Sequence, residues 1–337
     1  MNHEQHELLG YWLRRFLSEY VATVKNFSAN TLRSYRDAFR LLLNYATVRK
    51  INVEEMKVVD LTEEFVIGYL ESLESTRHCS TQTRNLRLAA ICSFARYLSH
   101  HSPEHVNWSR AIRDIPAKKG RSREVTYLEK PEMDALLQAP DRTSRQGQFD
   151  YALLLFLYNT GARADEAASV LIKDIQMSSS RDLTSVVSIT GKGRKTRLCP
   201  LWKTTCDTIK KLIAGRGNDE HVFINRRGEP ITRFGVYEMV KRNLKRAQES
   251  VPSIKKKRVS PHTIRHTTAT HLVIAGVDIN TVRAWLGHVS VNTTNVYAEI
   301  NMKMKAAALE KCMPKNQRTS KHWRDDGKLM QFLDGIR

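Results

Sequence analysis

The apolar residues of the first hundred positions recur with the spacing of packed α-helices, and this pattern most limits what the chain can fold into. From Leu8 to Val21 they repeat at i, i+1, i+4 and i+5, which is the apolar stripe of a helix in a bundle. A second helix is predicted after a cap at Ser28 or Asn30. Further helices are predicted over about 62–73 and 81–98. Residues 1–104 are therefore expected to form a helical domain.

Arginines accompany the apolar faces of these helices. The chain has 55 Lys and Arg against 35 Asp and Glu, a formal net charge of +20, which favours a polyanionic partner such as double-stranded DNA. Surface arginines are often only solvated, but their recurrence across several helices favours contacts with DNA phosphates. In this domain, we expect such contacts from Arg33, Arg36, Arg84 and Arg87.

A stretch rich in Pro, Lys, Arg and Ser then separates two domains. It predicts a linker over 105–124, a second domain over 125–312 and a tail over 313–337. In the second domain, SVVSIT and TRLCPL flank the turn GKGRK, which predicts a β-hairpin. Helices are predicted over about 130–139, 149–161, 164–170, 204–214 and 234–247. The expected fold class is mainly α-helical with a small β-hairpin or sheet.

A helix start near the C-terminus carries the first candidate for chemistry. Ser260 and Pro261 are typical of a helix N-terminus, and His262 and Arg265 then share one helix face. The planar guanidinium of an arginine matches two oxygens of a phosphate, and a histidine adds a hydrogen bond or carries a proton near neutral pH. The pair predicts a phosphate-binding site.

A metal site is the alternative for this helix, because His262 and His266 have the i, i+4 spacing of a zinc pair. The glutamate of the HExxH motif is absent and no third ligand follows, so no metal is expected. We interpret His266 and His271 as packed or helix-face histidines. The five cysteines show no CxxC spacing, which indicates reduced thiols.

A sharp corner and a tyrosine follow. A helix from about residue 280 is predicted to end at Gly287 in a left-handed cap, so that His288 stands at a fixed corner. Tyr297 comes next, on a further short helix. A lone tyrosine on an amphipathic helix is usually a packing residue. Close to arginines and histidines, however, its oxygen could attack phosphorus.

Further groups complete the candidate site. Arg163 opens a helix, and Glu166, three residues later, could hold its guanidinium in place. Lys192 lies between two glycines at the predicted hairpin tip, where it could protonate a leaving oxygen. An ordinary solvated lysine is the alternative. We interpret the basic residues that follow as DNA-backbone contacts or surface charges: Arg194, Lys195 and Arg197.

This ordered set resembles the tyrosine recombinase (phage integrase) family over almost the whole chain. Each motif is weak alone, whereas all of them in the right order are very specific. The matching motifs, in chain order, are GARADE with Arg163 and Glu166, TGKGRKTR with Lys192, HTIR with His262 and Arg265, LGH with His288, and then Tyr297.

The resemblance implies a reaction. Tyr297 would attack a DNA phosphodiester, form a 3′-phosphotyrosine link and free a 5′-hydroxyl. Lys192 would be the general acid, and the arginines and histidines of the motifs would stabilise the charge on phosphorus. No metal, ATP or other cofactor is implied, because the covalent link stores the bond energy.

The resemblance also implies an architecture and partners. A helical SAM-like core-binding domain and a mixed α/β catalytic domain would form a C-shaped clamp on a double-stranded recombination site. A homo-tetramer on DNA would exchange strands through a Holliday junction, with partner recombinases as a further possibility. The tail over 313–337 is a candidate for docking on a neighbouring protomer, and a disordered tail is the alternative.

Two other functions stay open from the sequence: type IB topoisomerase-like relaxation of DNA, and DNA binding without cleavage. The helical first domain and the spacing from LGH to the tyrosine favour a recombinase, and an intact Tyr297 argues against a pure binding protein. Recombinases of transposons and plasmids look most similar, with Xer-type enzymes close. Integration, excision and dimer resolution are not distinguished. No apolar run of about 18 residues is present, so a cytoplasmic location without a membrane partner is expected.

Overall fold

The fold is mainly helical, with one small antiparallel sheet in the second half of the chain. This confirms the fold class expected from the sequence. The computed structural model describes residues 6–24, 29–120, 126–178, 184–191, 193 and 195–287. The chain divides into two compact units, Met1–Arg123 and Glu124–Arg337.

The helices of the first unit surround a core of aromatic rings. Phe16, which is fully buried, lies at its centre, with its ring centroid 5.5 Å from that of Phe94 and 5.9 Å from that of Tyr35. The elements are α1 (Leu9–Arg15), a π-helical continuation (Phe16–Val24), α2 (Ala29–Val48), α3 (Glu63–Ser75), α4 (Thr81–His101) and α5 (Val106–Asp114).

Polar side chains fix where α3 and α4 begin. The Thr62 side chain accepts a hydrogen bond from the Phe65 amide at 3.2 Å, and that of Ser80 accepts one from the Thr83 amide at 3.3 Å. Both helices therefore begin where the sequence predicts them. The proposed cap Ser28 lies outside the described residues.

The expected linker differs from the structure at its first half. Residues Val106–Asp114 form α5, which packs on α4 through the fully buried Ile112. The hydroxyl of Ser109 donates to the carbonyl of Ala95 at 2.7 Å. The helix has only nine residues and lies within a stretch rich in Pro, Lys, Arg and Ser, so the composition of the whole stretch resembles that of a linker.

The second unit places its helices around a hairpin-based sheet. Its helices are α6 (Lys130–Gln138), α7 (Arg145–Thr160), α8 (Ala164–Ser169), α9 (Lys203–Ile213), α10 (Arg233–Ser250), α11 (Pro261–Ile274) and α12 (Ile279–Leu286). Its strands are β1 (Ile175–Gln176), β2 (Val186–Thr190) and β3 (Thr196–Pro200).

The predicted hairpin is present as β2 and β3, and a third strand extends it. In the antiparallel register, Ile189 faces Arg197 and Val187 faces Cys199, while Ile175 of β1 pairs with Val187 on the other side. Strand β1 is not predicted from the sequence, because two residues are too few to show the alternation by which a strand is recognised.

Helix α7 forms the centre of this unit, since every residue from Ala152 to Thr160 is buried. Helix α11 packs along it, and the hydroxyl of Thr268 donates to the carbonyl of Tyr158 at 2.8 Å. This contact brings the helix with the His-Arg motif next to the end of α7. The segment with Arg163 begins there.

Two sequence expectations about the chain's environment bear on the described residues. Their four cysteines, Cys79, Cys92, Cys199 and Cys206, are free thiols. Within the same part of the chain, no helix combines the length and the apolar character that a membrane span requires.

Candidate active site

The start of α11 orients the first two candidate residues. The Ser260 hydroxyl accepts from the Thr263 amide at 3.3 Å, and Pro261 occupies the first turn, as the sequence predicts. One turn of helix then separates His262 from Arg265. His262 keeps part of its surface exposed to solvent, whereas Arg265 points into the protein.

Arg265 is the buried cation of the site, with 1% of its surface exposed. A buried charge must be compensated, and here carbonyl groups and a carboxylate do so. Nη1 donates to the Gly161 carbonyl at 2.7 Å, and Nη2 donates to the Leu286 carbonyl at 2.6 Å. Nη1 also lies 3.9 Å from Oε2 of Glu166. Arg265 thus joins the ends of α7 and α12 to α8.

Glu166 holds Arg163 in the way that the sequence predicts. Its Oε1 accepts from Nη1 of Arg163 at 2.6 Å, and its Oε2 accepts from the Arg163 amide at 2.9 Å. Burial alone would raise the pKa of Glu166, but hydrogen bonds from Arg197 and Arg163 hold that pKa below its ordinary value. Glu166 is therefore an anion, and Arg163 keeps 40% of its side chain exposed.

Two histidines pack edge to face beside this cluster. The ring centroids of His262 and His266 are 4.3 Å apart, at an angle of 75°. Desolvation, together with the charges of Arg265 and Arg163, lowers the pKa of His262. Burial lowers the pKa of His266 to about 4, and electrostatic repulsion from His262 and Arg265 contributes to this shift. His266 is thus neutral at pH 7, and the free site favours a neutral His262 that can donate one N–H.

Arg197 is not the surface charge that the sequence analysis expected. Its side chain is 9% exposed, its Nη2 donates to Oε2 of Glu166 at 2.7 Å, and its Nε donates to the Trp285 carbonyl at 2.8 Å. One signal could have revealed this position. Alternate residues of a strand share a face, and Arg197 stands two residues before Cys199, an apolar-type side chain that is fully buried.

Helix α12 ends at the corner that the sequence predicts. Gly287 adopts a left-handed conformation with φ 64°, and its amide donates to the Ala284 and Arg283 carbonyls. The β-carbon of any other residue here would lie 3.1 Å from Cδ of Arg197. The corner is therefore fixed both by its backbone and by the neighbouring arginine.

The four arginines expected to contact DNA differ in their surroundings. Arg33 and Arg36 are exposed on α2. Arg84 is 8% exposed and donates to the Pro116 carbonyl at 3.1 Å, and Arg87 donates to the Ser34 carbonyl at 3.0 Å. Arg84 and Arg87 each link segments of the first unit, since Arg84 binds a carbonyl just beyond the end of α5 and Arg87 binds one within α2. In the second unit, Lys195 is exposed.

The structure thus brings Arg163, Glu166, His262 and Arg265 together and adds Arg197. The remaining sequence candidates lie outside the described residues: Lys192, Arg194, His288 and Tyr297. No group of three potential metal-ligating side chains occurs in the part of the chain that is described.

Comparisons with known proteins identify the family of the chain. Residues 126–304 match the model of the phage integrase family, and residues 13–102 match that of the phage integrase N-terminal SAM-like domain. The putative integrase/recombinase y4rC of Sinorhizobium fredii is 35% identical over 340 residues, which cover 98% of this chain and 99% of that protein. Tyrosine recombinase XerD of Halalkalibacterium halodurans is 29% identical, with 86% of this chain and 92% of that protein covered.

A solved structure shares the fold. XerH site-specific recombinase, in a post-cleavage complex with palindromic difH substrate, superposes with a TM-score of 0.66 at 20% identity, over 85% of this chain and 80% of that one. At this identity the likeness concerns the fold alone. The family models, and the relative that matches over almost the whole length of both chains, show the family. The chain belongs to the phage integrase family of tyrosine recombinases.

Proposed function

We propose that this chain is a site-specific DNA recombinase that cuts and rejoins DNA through a 3′-phosphotyrosine link at Tyr297. The observation that carries the proposal is the cluster of Arg163, Glu166 and Arg265 beside His262. One carboxylate holds an accessible guanidinium and lies 3.9 Å from a buried one. Such a preorganised positive site suits a phosphodiester whose negative charge increases in the transition state.

Each catalytic group has one role in the proposed step. The phenolic oxygen of Tyr297 attacks phosphorus and loses its proton to water, while the bond from phosphorus to the 5′ oxygen breaks. Lys192 gives its proton to that oxygen. Arg163 and the N–H of His262 bind the phosphate oxygens. Arg265 adds positive charge from within the protein, and His288 also stabilises the negative charge on the phosphate. A 5′-hydroxyl of a partner strand reverses the step and rejoins the DNA.

The proposed reaction needs no metal ion, because guanidinium groups stabilise the charge on phosphorus and the phosphotyrosine link conserves the energy of the broken bond. We therefore expect cleavage to proceed unchanged in the presence of EDTA. Neither ATP nor another cofactor takes part.

A nicked suicide substrate tests the reaction. The nick, placed next to the cleavage point in duplexes from the DNA that flanks the gene, lets a short 5′-hydroxyl fragment diffuse away and traps the covalent complex. Wild-type protein with EDTA should give a covalent band on a denaturing gel, and Tyr297→Phe should give none. Tyr237→Phe, at an exposed tyrosine of α10, is the matched control and should behave as the wild type.

Three outcomes would contradict the proposal. A covalent band that persists in Tyr297→Phe would assign the nucleophile to another residue. If the wild type binds a duplex site-specifically and never yields a band, the chain binds DNA without cleaving it. A product that is relaxed plasmid with no exchanged strands would indicate a topoisomerase. The family matches over both units favour the recombinase.

The proposed partner is a double-stranded recombination site that holds four protomers as two pairs. Mass photometry should show the free chain as a smaller species and a tetramer only on two joined sites. The tail over 313–337 is proposed to dock on a neighbouring protomer, so its removal should weaken the tetramer more than the binding of one protomer. Because its substrate is cellular DNA, we propose the cytoplasm as its location.

A further inference from the structure

A buried ion pair lies where several segments of the candidate site meet. Glu166 and Arg197 are 2.7 Å apart, with 5% and 9% of their side chains exposed. They come from different elements, α8 and β3, and are 31 positions apart in the chain. An ion pair this well shielded resists screening by salt, and its geometry is fixed by the packing around it.

Glycines allow two catalytic segments to approach this pair closely. A β-carbon on Gly191, the residue before Lys192, would lie 3.0 Å from Oε1 of Glu166 and 3.6 Å from Nη1 of Arg197. A β-carbon on Gly287, the residue before His288, would lie 3.1 Å from Cδ of Arg197. The pair therefore touches the backbone immediately before two of the proposed catalytic residues.

Arg197 also holds the last turn of α12. Its Nε donates to the Trp285 carbonyl at 2.8 Å, next to the Leu286 carbonyl that accepts from Arg265 at 2.6 Å. These carbonyls at a helix C-terminus have no partner within the helix, and cations stabilise them through the helix dipole. Two guanidinium groups thus fix the end of α12, from which the chain continues toward Tyr297.

We propose that Arg197 is a positioning residue for the recombination reaction. Through Glu166 it holds Arg163, and through its contacts with Gly191 and with the end of α12 it holds the backbone from which the chain continues to Lys192 and to His288 and Tyr297. It does this without contacting DNA. The inference rests on the proposed function, because it assigns Arg197 to the same site.

The geometry separates this role from that of a phosphate contact. A basic side chain that binds DNA leaves its hydrogen-bond donors exposed to solvent in the free protein. Lys195, which is exposed on the same hairpin, is an example. In Arg197, two donors already point at Glu166 and Trp285. Its loss should therefore affect the chemical step more than DNA affinity.

The test compares Arg197→Gln with two reference variants in the full-length chain. Lys195→Gln reports on a phosphate contact, and Lys210→Gln, at an exposed lysine of α9, controls for the loss of one charge. Three quantities are measured: the single-turnover rate of covalent complex formation on the nicked duplex at saturating protein, the DNA affinity as a function of salt, and the melting temperature.

For Arg197→Gln, we expect the cleavage rate to fall about a hundredfold, as a displacement of about 1 Å in a catalytic group can cause. Its DNA affinity and salt dependence should match those of Lys210→Gln. An unchanged rate, with a salt dependence lowered as in Lys195→Gln, would overturn the proposal and make Arg197 a phosphate contact. If the wild type itself forms no covalent complex, the proposed function fails instead, and the two failures are thereby distinguished.

A second substrate separates positioning from a general loss of structure. Replacing the bridging 5′ oxygen by sulfur creates a leaving group that needs no proton, so Lys192→Ala should regain almost its full rate. Arg197→Gln should regain only part of its loss, roughly tenfold, because the segment of Tyr297 is displaced as well. No recovery, or full recovery, would overturn the claim that Arg197 positions both segments.

A conservative variant covers the case in which Arg197→Gln does not fold. Arg197→Lys keeps the charge beside Glu166 but cannot donate from a planar fork to both Glu166 and Trp285. It should cleave at an intermediate rate, with a melting temperature close to that of the wild type. A rate equal to that of the wild type would overturn the proposal.

Discussion

At the residue scale, one carboxylate organises the described part of the site. Glu166 accepts hydrogen bonds from Arg163 and Arg197 and lies 3.9 Å from Arg265. Their positive charges keep it ionised despite its burial, and it in turn offsets their mutual repulsion. Removing its charge should therefore affect stability as well as catalysis.

Glu166→Gln tests this dependence. The amide keeps the shape of the side chain but leaves the buried Arg265 without its carboxylate, so we expect a loss of about 3 kcal/mol in the free energy of unfolding. Urea unfolding measures it. Asp165→Asn, at an exposed carboxylate of the same helix, is the matched control and should change stability little. Equal stabilities of the two variants would contradict the assigned role of Glu166.

The low pKa of His266 predicts how stability depends on pH. In the unfolded chain a histidine has a pKa of about 6.5, while the pKa of His266 in the folded chain is about 4. As pH falls, the unfolded chain binds the proton first. The contribution of His266 is thus complete above pH about 6.5 and is lost progressively toward pH about 4.

His266→Gln should remove this part of the pH dependence, so the gap in melting temperature between wild type and variant should narrow from about pH 7 to pH 5. Thermal unfolding at several pH values measures the difference. A constant gap across this range would show that His266 does not titrate as described.

At the scale of elements, helix α11 carries the site because polar contacts fix it to its neighbours. The buried amide of Leu128 donates to Oγ1 of Thr267 at 2.9 Å, which attaches the segment before α6 to α11. Thr270, one turn later and equally buried, has no hydrogen-bond partner for its hydroxyl within the described residues. The two threonines form a natural pair for comparison.

Thr267→Val should lower the free energy of unfolding by about 1–3 kcal/mol, because it leaves the Leu128 amide buried without an acceptor. Thr270→Val replaces an unpaired buried hydroxyl by a methyl group of similar shape and should be neutral or stabilising by about 1 kcal/mol. Urea unfolding of both variants measures the contrast. The reverse order would contradict the hydrogen-bond assignment.

Sequence periodicity located most helices to within a turn, but their ends depended on local contacts. Helix α7 was predicted from residue 149 and begins at Arg145, since the Ser144 hydroxyl accepts from the Gly147 amide at 3.0 Å. The first turn is polar and contains glycine, so it carries no apolar pattern. Helix α5 is missed because its nine residues lie within a stretch rich in Pro, Lys, Arg and Ser, and β1 because it is too short.

At the scale of the whole molecule, the net charge of +20 should dominate DNA binding. Each lysine or arginine that neutralises a phosphate releases counterions, so affinity falls steeply with salt. With six phosphate contacts or more, we expect a loss of about a thousandfold between about 50 and 200 mM salt. Fluorescence anisotropy on a labelled duplex measures it.

The double substitution Arg33→Gln and Arg36→Gln should lower the slope of log affinity against log salt by about 2 if both contact phosphates. Arg110→Gln with Arg113→Gln, two exposed arginines of α5, removes the same charge from the same unit and serves as the control. If both double variants give the same slope, the assignment of Arg33 and Arg36 to the DNA interface is wrong.

Local periodicity, capping and ordered motifs are sufficient to predict the class of fold, the helix that presents His262 and Arg265, the glycine end of α12 and the family. Which arginines are buried depends on contacts between distant segments, which no local pattern shows. Arg197 meets Trp285 across 88 positions and Glu166 across 31, and Arg84 meets Pro116 across 32. A guanidinium is equally compatible with water, phosphate or a buried carboxylate, and the folded chain alone fixes which of these it meets.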